Sequence, residues 1–384
     1  MIRAGLILSL GGGWQGGVNY FNNLLRCYQQ YPDPALKLEV FTSRPEDATR
    51  YRSDAIGINP WPEIAPGRLG HYPRTVAKRL LGYDPALLRI LKHQRIDLLT
   101  HNGLGTQSSI NTLLWQPDFQ HKAYPQFFSP QECADRDAGI GNVRRWGNIL
   151  LSSHAAANDF RRYYPELAAV QTHVLHFSGA AVLDIVPLQR EELGTQYPVH
   201  EPYFFLPNQF WQHKNHTVVV EALRQTPPEI RVICTGPMQD YRNPGYVPSL
   251  LEKVKQAGLE RRFICLGTVA YPTLVSLMHH SLAVLQPSLF EGWSTSVEES
   301  KAMCKQIVLS NIAVHLEQAP QRGTYFSPDS PEELAACLKR VHAEFSPATE
   351  ANFTELRTHH RATLERGWIE DFARILKTVS GTQC

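Results

Sequence analysis

The sequence predicts an α/β protein of two domains, each built on a doubly wound parallel sheet. Short apolar runs alternate with helical stretches from end to end, which implies right-handed strand–helix–strand crossovers. The runs are continuous rather than alternating, as when helices cover both faces of a sheet. The length of 384 residues suits two domains. The first half offers strands near 4–10, 37–42, 96–100, 122–127, 148–152 and 173–176. The second offers strands near 202–207, 230–235, 261–266, 282–285 and 306–309. The stretch 186–201, with Pro187, Gly194 and Pro198, reads as a linker and sets domains of 1–190 and 191–365. Ligands bind at the carboxyl ends of the strands in such sheets, so the two sheets are expected to face an interdomain cleft. In the final segment, 366–384, Trp368, Phe372, Ile375 and Leu376 fall on one helical face that must pack against something.

Composition excludes several classes. A net charge of +2 is too balanced for a nucleic-acid binder. No apolar run approaches the roughly 20 residues that cross a bilayer. Residues 1–11 read as a first buried strand rather than a leader. The seven cysteines are odd in number, scattered and without metal-type spacing, which favours a reduced, cytosolic protein without disulfides or structural zinc.

In chain order, the first motif is Gly11-Gly12-Gly13-Trp14-Gln15-Gly16-Gly17, between a strand and a helix. Gly11, Gly13 and Gly16 match the dinucleotide pattern G-x-G-x-x-G. A nicotinamide enzyme needs an acid at the tip of the second strand. That strand ends in Thr42-Ser43, with Glu39 inside it, which disfavours an oxidoreductase. Glycines here still let backbone N–H groups approach an anion; a tight turn is the plainer reading. Residues 68–95 carry Arg68, Arg74, Lys78, Arg79, Arg89, Lys92 and Arg95 against the single acid Asp84, with leucines between them. They form either a basic amphipathic surface for anionic lipid or a helix pair with solvated faces. His101 ends an apolar strand before Asn102-Gly103. Asp135-Arg136-Asp137 matches the metal motif D-x-D but follows no buried strand directly, so it reads as a surface helix. Ser153 suits a helix cap. Lys214 follows the strand 203–207, where a cation would suit a diphosphate leaving group. His213 and His216 lack the accompanying acid or cysteine of a metal site. Thr235-Gly236 and Gly267-Thr268-Val269 end two further strands.

The densest signal is residues 286–304, Gln-Pro-Ser-Leu-Phe-Glu-Gly-Trp-Ser-Thr-Ser-Val-Glu-Glu-Ser-Lys-Ala-Met-Cys. Glu291 and Glu299 stand eight positions apart, across a loop-to-helix junction. An acid at each end accepts hydrogen bonds from hydroxyls, and the N–H groups between them can meet an anion. A ligand with hydroxyls at both ends and phosphate in the middle is a nucleotide sugar. A surface helix with two solvated acids is the alternative.

This stretch, with its continuation through 305–317, resembles the E-x7-E signature of retaining glycosyltransferases, in particular glycosyltransferase family four with the GT-B fold. Trp293 stands for the usual aromatic and Ser294 for the second glycine. The resemblance implies a nucleotide-diphosphate sugar as co-substrate, held mainly by the second domain, with no cofactor and no metal. It gives Glu299 the ribose hydroxyls, Glu291 the hydroxyls of the transferred sugar, and Gly292, Trp293, Ser294, Thr295 and Ser296 the sugar and phosphates. Lys214-Asn215 looks like the family's Lys-Asn, whose lysine neutralises the donor phosphates. The family's usual arginine is here Asn208, so either Lys214 acts with backbone N–H groups alone or another cation such as Arg242 substitutes. Gly16 and Gly17 match the Gly-Gly-Val loop that faces the diphosphate. Gly267 and Val269 match backbone contacts to the nucleoside. His101 matches a histidine that contacts the sugar, although Asn102 fills the usual position by count. The helix 366–384 is expected to cross back onto the first domain. The implied reaction is retaining transfer of a hexose-type sugar to a glycan or lipid-linked acceptor in polysaccharide assembly, on the cytoplasmic side of a membrane that residues 68–95 would touch. A non-catalytic nucleotide-sugar-binding protein and a GT-B sugar-nucleotide epimerase are the alternatives.

Overall fold

A computed structural model describes residues 1–8, 15–60, 76, 77, 80–106 and 108–381, with Gln15 and residues 348–360 described in backbone only. Gly11 to Trp14 of the glycine loop lie outside the described residues, as do Arg68, Arg74, Lys78, Arg79 and Cys384. The chain forms two compact units. One comprises Met1–Lys122, Pro130–Phe177 and Glu365–Cys384; the other comprises Ala123–Ser129 and Ser178–Leu364.

The first unit holds seven parallel strands: β1 Ile2–Leu8, β2 Leu36–Thr42, β3 Ile56–Pro60, β4 Leu98–His101, β5 Asn111–Gln116, β6 Asn148–Leu151 and β7 Gln171–Val174. Their order is β3-β2-β1-β4-β5-β6-β7, with Leu6 level with Val40 and Ala4 level with Leu98. The order reverses between β1 and β4, the switch point where such sheets place ligands. Leu6, Val40, Leu98 and Leu113 form the core with Leu24 of the helix Gln15–Gln30. The apolar face read near the C-terminus closes it: Trp368, Phe372, Ile375 and Leu376 of the helix Pro347–Gly381 are all buried there. An ion pair at 2.7 Å between half-buried Arg26 and fully buried Glu365 fixes that helix to the helix Gln15–Gln30.

The second unit holds β8 Phe204–Pro207, β9 Val232–Thr235, β10 Phe263–Cys265, β11 Val284–Gln286, β12 Ile307–Ser310 and β13 Gly323–Phe326. All are parallel in the order β10-β9-β8-β11-β12-β13, with the switch point between β8 and β11. β9, β11 and β12 are buried along their whole length, which explains their continuous apolar reading.

Three expectations need correction. No strand forms at 122–127: Pro125 removes a ladder donor and opens a one-turn helix, and the strand of that region is β5, Asn111–Gln116. β3 and β13 were not expected. β3 is a short run of alternating burial ending at Pro60, and β13 is an edge strand that is mostly half-buried, so neither shows a continuous apolar run. The stretch 186–201 is not a bare linker, since it carries the helix Arg190–Gly194 and seats Leu193 and Val199 in the second unit's core. The units divide at Phe177–Ser178, ahead of the expected 190/191 boundary.

Two weaker readings can be placed locally. Ser153 caps the helix His154–Tyr163, its hydroxyl accepting from the Ala156 N–H at 2.9 Å. Asp137 lies within the helix Pro130–Gly141 and accepts from Lys122 Nζ at 2.6 Å and from the Tyr164 hydroxyl at 2.5 Å, a latch between elements of the first unit.

Candidate functional site

The ends of β8 and β11, side by side at the second sheet's switch point, bring Lys214 and Glu291 together. After β8 the chain makes a single helical turn, Gln212–Lys214, and Asn215 then takes a left-handed conformation (φ 57°), which asparagine tolerates better than most residues. The Asn215 amide donates to the carbonyls of Pro287 at 3.1 Å and Pro328 at 2.9 Å. The Leu289 N–H donates to the His213 carbonyl at 2.8 Å. These bonds stitch the loop after β8 to the loop after β11. Across the seam Lys214 Nζ donates to Glu291 Oε1 at 2.6 Å, and the Ser288 hydroxyl donates to the same oxygen at 2.7 Å. Burial disfavours the Glu291 carboxylate, but the adjacent Lys214 ammonium outweighs it and holds the group below the usual glutamate range. His213 and His315 nearby are neutral because burial pushes them down to about 3 and about 4.

Behind this pair lies a network of side-chain amides. Asn208 is buried, and its Nδ2 donates to Gln286 Oε1 at 2.6 Å. Gln286 Nε2 donates to the hydroxyls of Ser294 at 2.9 Å and Ser296 at 2.8 Å. Ser294 sits at the N-cap position of the helix Thr295–Ala302 yet makes no capping bond, so its hydroxyl does not occupy the first-turn N–H groups. Gln318 brackets the Ser294 backbone, accepting from its N–H at 3.4 Å and donating to its carbonyl at 3.0 Å. Gly292 is half-buried, and Trp293 is buried with Lys301 Nζ 5.8 Å from its ring centre.

Glu299 lies one helical stretch further on and differs from Glu291 in its partner. It is buried, it accepts from the neutral Tyr271 hydroxyl at 2.7 Å, and desolvation raises its carboxyl to about 7 despite that bond. Its backbone is closely approached by Gly179: a Cβ there would come within 2.3 Å of the Glu299 nitrogen. Gly267 has φ 69° with open space around it, so glycine is required there by conformation rather than by room. Its carbonyl accepts from the Gly236 N–H at 2.8 Å, and Val269 is partly buried against the core.

The remaining candidates fall elsewhere. Asn208 holds Gln286 rather than offering its amide nitrogen outward. Arg242 packs among rings, its guanidinium 4.0 Å from the Phe128 centroid and 5.0 Å from that of Trp211. In the first unit, Gly16 and Gly17 lie in the first turn of the helix Gln15–Gln30, one exposed and one buried. His101 is buried, with Nε2 at 2.7 Å from the Tyr20 hydroxyl and Nδ1 at 2.9 Å from the Thr100 hydroxyl. Asn102 accepts from the Ile7 N–H at 3.0 Å. Tyr271, Gln286, Ser288 and Gln318 escaped the sequence reading. Gln286 and Ser288 lie within the quoted stretch 286–304 but were given no role of their own; Tyr271 and Gln318 are brought in from distant segments.

Residues 191–350 match the family described as "Glycosyl transferases group 1". The second unit is a group 1 glycosyltransferase domain. No curated protein sequence matches the chain. Solved structures share its GT-B fold over their whole length. A glycosyltransferase from Rickettsia africae superposes with a TM-score of 0.70 at 14% identity, over 100% of this chain and 99% of that one. Sucrose-phosphate synthase from Thermosynechococcus elongatus gives 0.72 at 14% identity, over 100% of both. HepE from Anabaena, in complex with UDP and glucose, gives 0.66 at 15% identity, over 99% of this chain and 100% of that one. In this group 1 domain the Glu291–Lys214 pair and Glu299 lie within the matched range.

Proposed function

We propose that the protein is a retaining glycosyltransferase that moves a hexose-type sugar from a nucleotide-diphosphate sugar to a hydroxyl of a glycan or lipid-linked acceptor. The observation that carries this is the Lys214–Glu291 ion pair at the second sheet's switch point, beside a helix N-terminus whose cap residue leaves the first-turn N–H groups available. In the transfer, the bond between the sugar's anomeric carbon and the diphosphate breaks. Lys214 and the N–H groups of the helix Thr295–Ala302 meet the charge that develops on the leaving oxygen. The acceptor oxygen attacks from the leaving-group face, and the departing phosphate takes its proton, so no protein nucleophile is required. Glu291, held ionised, accepts hydrogen bonds from the sugar's hydroxyls and orients it. Glu299 accepts from the ribose. The reading places the diphosphate's charge on Lys214 and backbone dipoles rather than on a metal. HepE's complexes with UDP and with UDP-glucose favour a uridine donor as the first to try.

A thermal-shift panel of UDP, GDP, ADP and dTDP compounds tests the donor, and an acceptor screen follows it. The expected result is stabilisation by one nucleotide series, lost in Glu299→Ala, and transfer only with an acceptor present. A shift that survives Glu299→Ala unchanged overturns the site. Sugar conversion without any acceptor would make the protein an epimerase, and tight binding with no transfer would make it a binding protein. For the acceptor, Val76, Leu80 and Leu81 are 54%, 79% and 53% exposed, next to the basic helix Pro85–His93. Such a surface suits an anionic bilayer at which a lipid-linked sugar would be presented on the cytoplasmic side. Sedimentation with anionic vesicles should be lost in Leu80→Asp/Leu81→Asp; unchanged sedimentation removes that part of the reading. Among the described residues no helix is long and apolar enough to cross a membrane.

A further inference from the structure

We infer that Cys234 and Cys265 form a peroxide-sensitive thiol pair that closes reversibly into a disulfide. The two residues are register partners on the parallel strands β9 and β10. Both belong to one face of the sheet, packed with Val232 and Phe263, while the intervening Ile233 and Ile264 face the other core cluster. Neighbouring strands run about 4.8 Å apart, which puts the two Cα atoms inside the span of roughly 4.4–6.8 Å that a disulfide bridges. Both thiols are free. Their surroundings differ in the way an attacking and a resolving cysteine must differ. Cys234 is fully buried in a central strand. Cys265 is partly exposed and is the last residue of the edge strand, which has a neighbour on one side only and can draw inward. The Cys234 thiol hydrogen-bonds to Cys265 and lowers its pKa, while burial pushes Cys234 up.

The chemistry balances with hydrogen peroxide as oxidant. The Cys265 sulfur attacks one peroxide oxygen and the O–O bond breaks. Cys265 is left as the sulfenic acid, and the second oxygen leaves as water with the thiol's proton. Cys234 sulfur then attacks Cys265 sulfur, the S–O bond breaks, and a second water carries off the Cys234 proton. Two thiols lose two electrons and one peroxide becomes two waters. A small thiol reverses the link by exchange. Cys234 and Cys265 stand two residues before Gly236 and Gly267, whose backbones are bonded to each other. The inference stands whether or not the transfer reading is right.

The test uses the full chain, exposed to hydrogen peroxide, alkylated with N-ethylmaleimide, digested without reduction and mapped by mass spectrometry. The expected product is a Cys234–Cys265 cross-linked peptide pair that dithiothreitol releases. In Cys234→Ser, Cys265 should be captured by dimedone as a sulfenic acid; in Cys265→Ser, Cys234 should stay reduced. Wild-type protein in which Cys265 runs on to the sulfinic acid while Cys234 is alkylated overturns the proposal. So does oxidation of Cys133 or Cys304 with Cys265 still free. The wild-type map decides the question even if either serine variant folds poorly.

Discussion

The end of β4 in the first unit and the loop after β8 in the second each lie beside their sheet's switch point, but on opposite sides of it: β8 is the counterpart of β1, and β4 that of β11. Each carries a left-handed non-glycine residue, His101 at φ 65° and Asn215 at φ 57°. At β4 the ionisable group is His101, bonded to two neutral hydroxyls among the rings of Tyr20, Phe21, Trp115 and Phe372, and burial lowers it to about 3. At β8 the ionisable group is Lys214, paired with a carboxylate that it keeps charged. The two ends therefore differ in the charge they present. Their neighbours decide: burial among hydroxyls and rings keeps the imidazole neutral, whereas Lys214 and Glu291 stand as an ion pair.

The sharpest way to break this contrast is Lys214→Ala. If Lys214 meets the leaving group, transfer should fall about 10²–10³-fold at saturating donor, the scale of removing one preorganised donor from a transition state. Activity near wild type would move the diphosphate contact elsewhere in the second unit. Glu291→Gln should also lower transfer, since it removes the charge that seats both Lys214 and the sugar hydroxyls.

Glu299 offers the next largest effect and an internal comparison with Glu291. In the folded protein it holds its proton up to about 7, whereas an ordinary glutamate releases it near 4.5. Between those values the folded state binds more protons than the unfolded one, so this group's contribution to stability is lost as pH rises through that window. The slope is up to about 1.4 kcal/mol per pH unit. Glu299→Gln removes the term. Its stability relative to wild type should climb from about pH 5 to about pH 7 and then level off, as read by urea unfolding. A flat difference would mean that Glu299 is ionised throughout.

Much of this was legible in the sequence, for reasons that also explain the failures. Both sheets were read from buried strands such as Val232–Thr235 and Ile307–Ser310, where burial on two faces leaves an unbroken apolar run. β3 and β13 were invisible because half-buried or proline-ended strands carry no such run. Glu291 and Glu299 stood out because they stand eight positions apart across a loop-to-helix junction within a stretch that resembles a known signature. What the sequence could not show was which partners the tertiary fold would deliver. Tyr271 reaches Glu299 from 28 positions away, and Tyr20 reaches His101 from 81. The His101 expectation rested on strand-end position and on a resemblance, and neither records that Tyr20 and Trp115 pack against it.

His101→Ala tests the β4 end directly. It strips a buried partner from both the Tyr20 and the Thr100 hydroxyls, and each unsatisfied group costs about 1–3 kcal/mol. The variant should unfold at lower urea while the transfer rate per folded molecule holds. A lost rate with an unchanged midpoint would show that the β4 end takes part in the reaction after all.

The smallest expected effect separates holding a site from being in it. Asn208 fills the position where the resembling family has an arginine, yet its amide nitrogen is bonded to Gln286, which in turn orients Ser294 and Ser296 at the helix start. Asn208→Ala removes one hydrogen bond from that chain, a loss of about 1 kcal/mol. Its effect on the ligand is indirect: a freed Gln286 lets the two serine hydroxyls turn, and nucleotide affinity should fall about fivefold with the transfer rate at saturation nearly unchanged. Gln286→Ala should reproduce the same affinity loss, and the two together should cost little more than either alone, because they lie on one chain of bonds. If instead Asn208→Ala lowers the saturated rate as Lys214→Ala does, the asparagine touches the leaving group, and the second cation of the clamp has been replaced by an amide rather than lost.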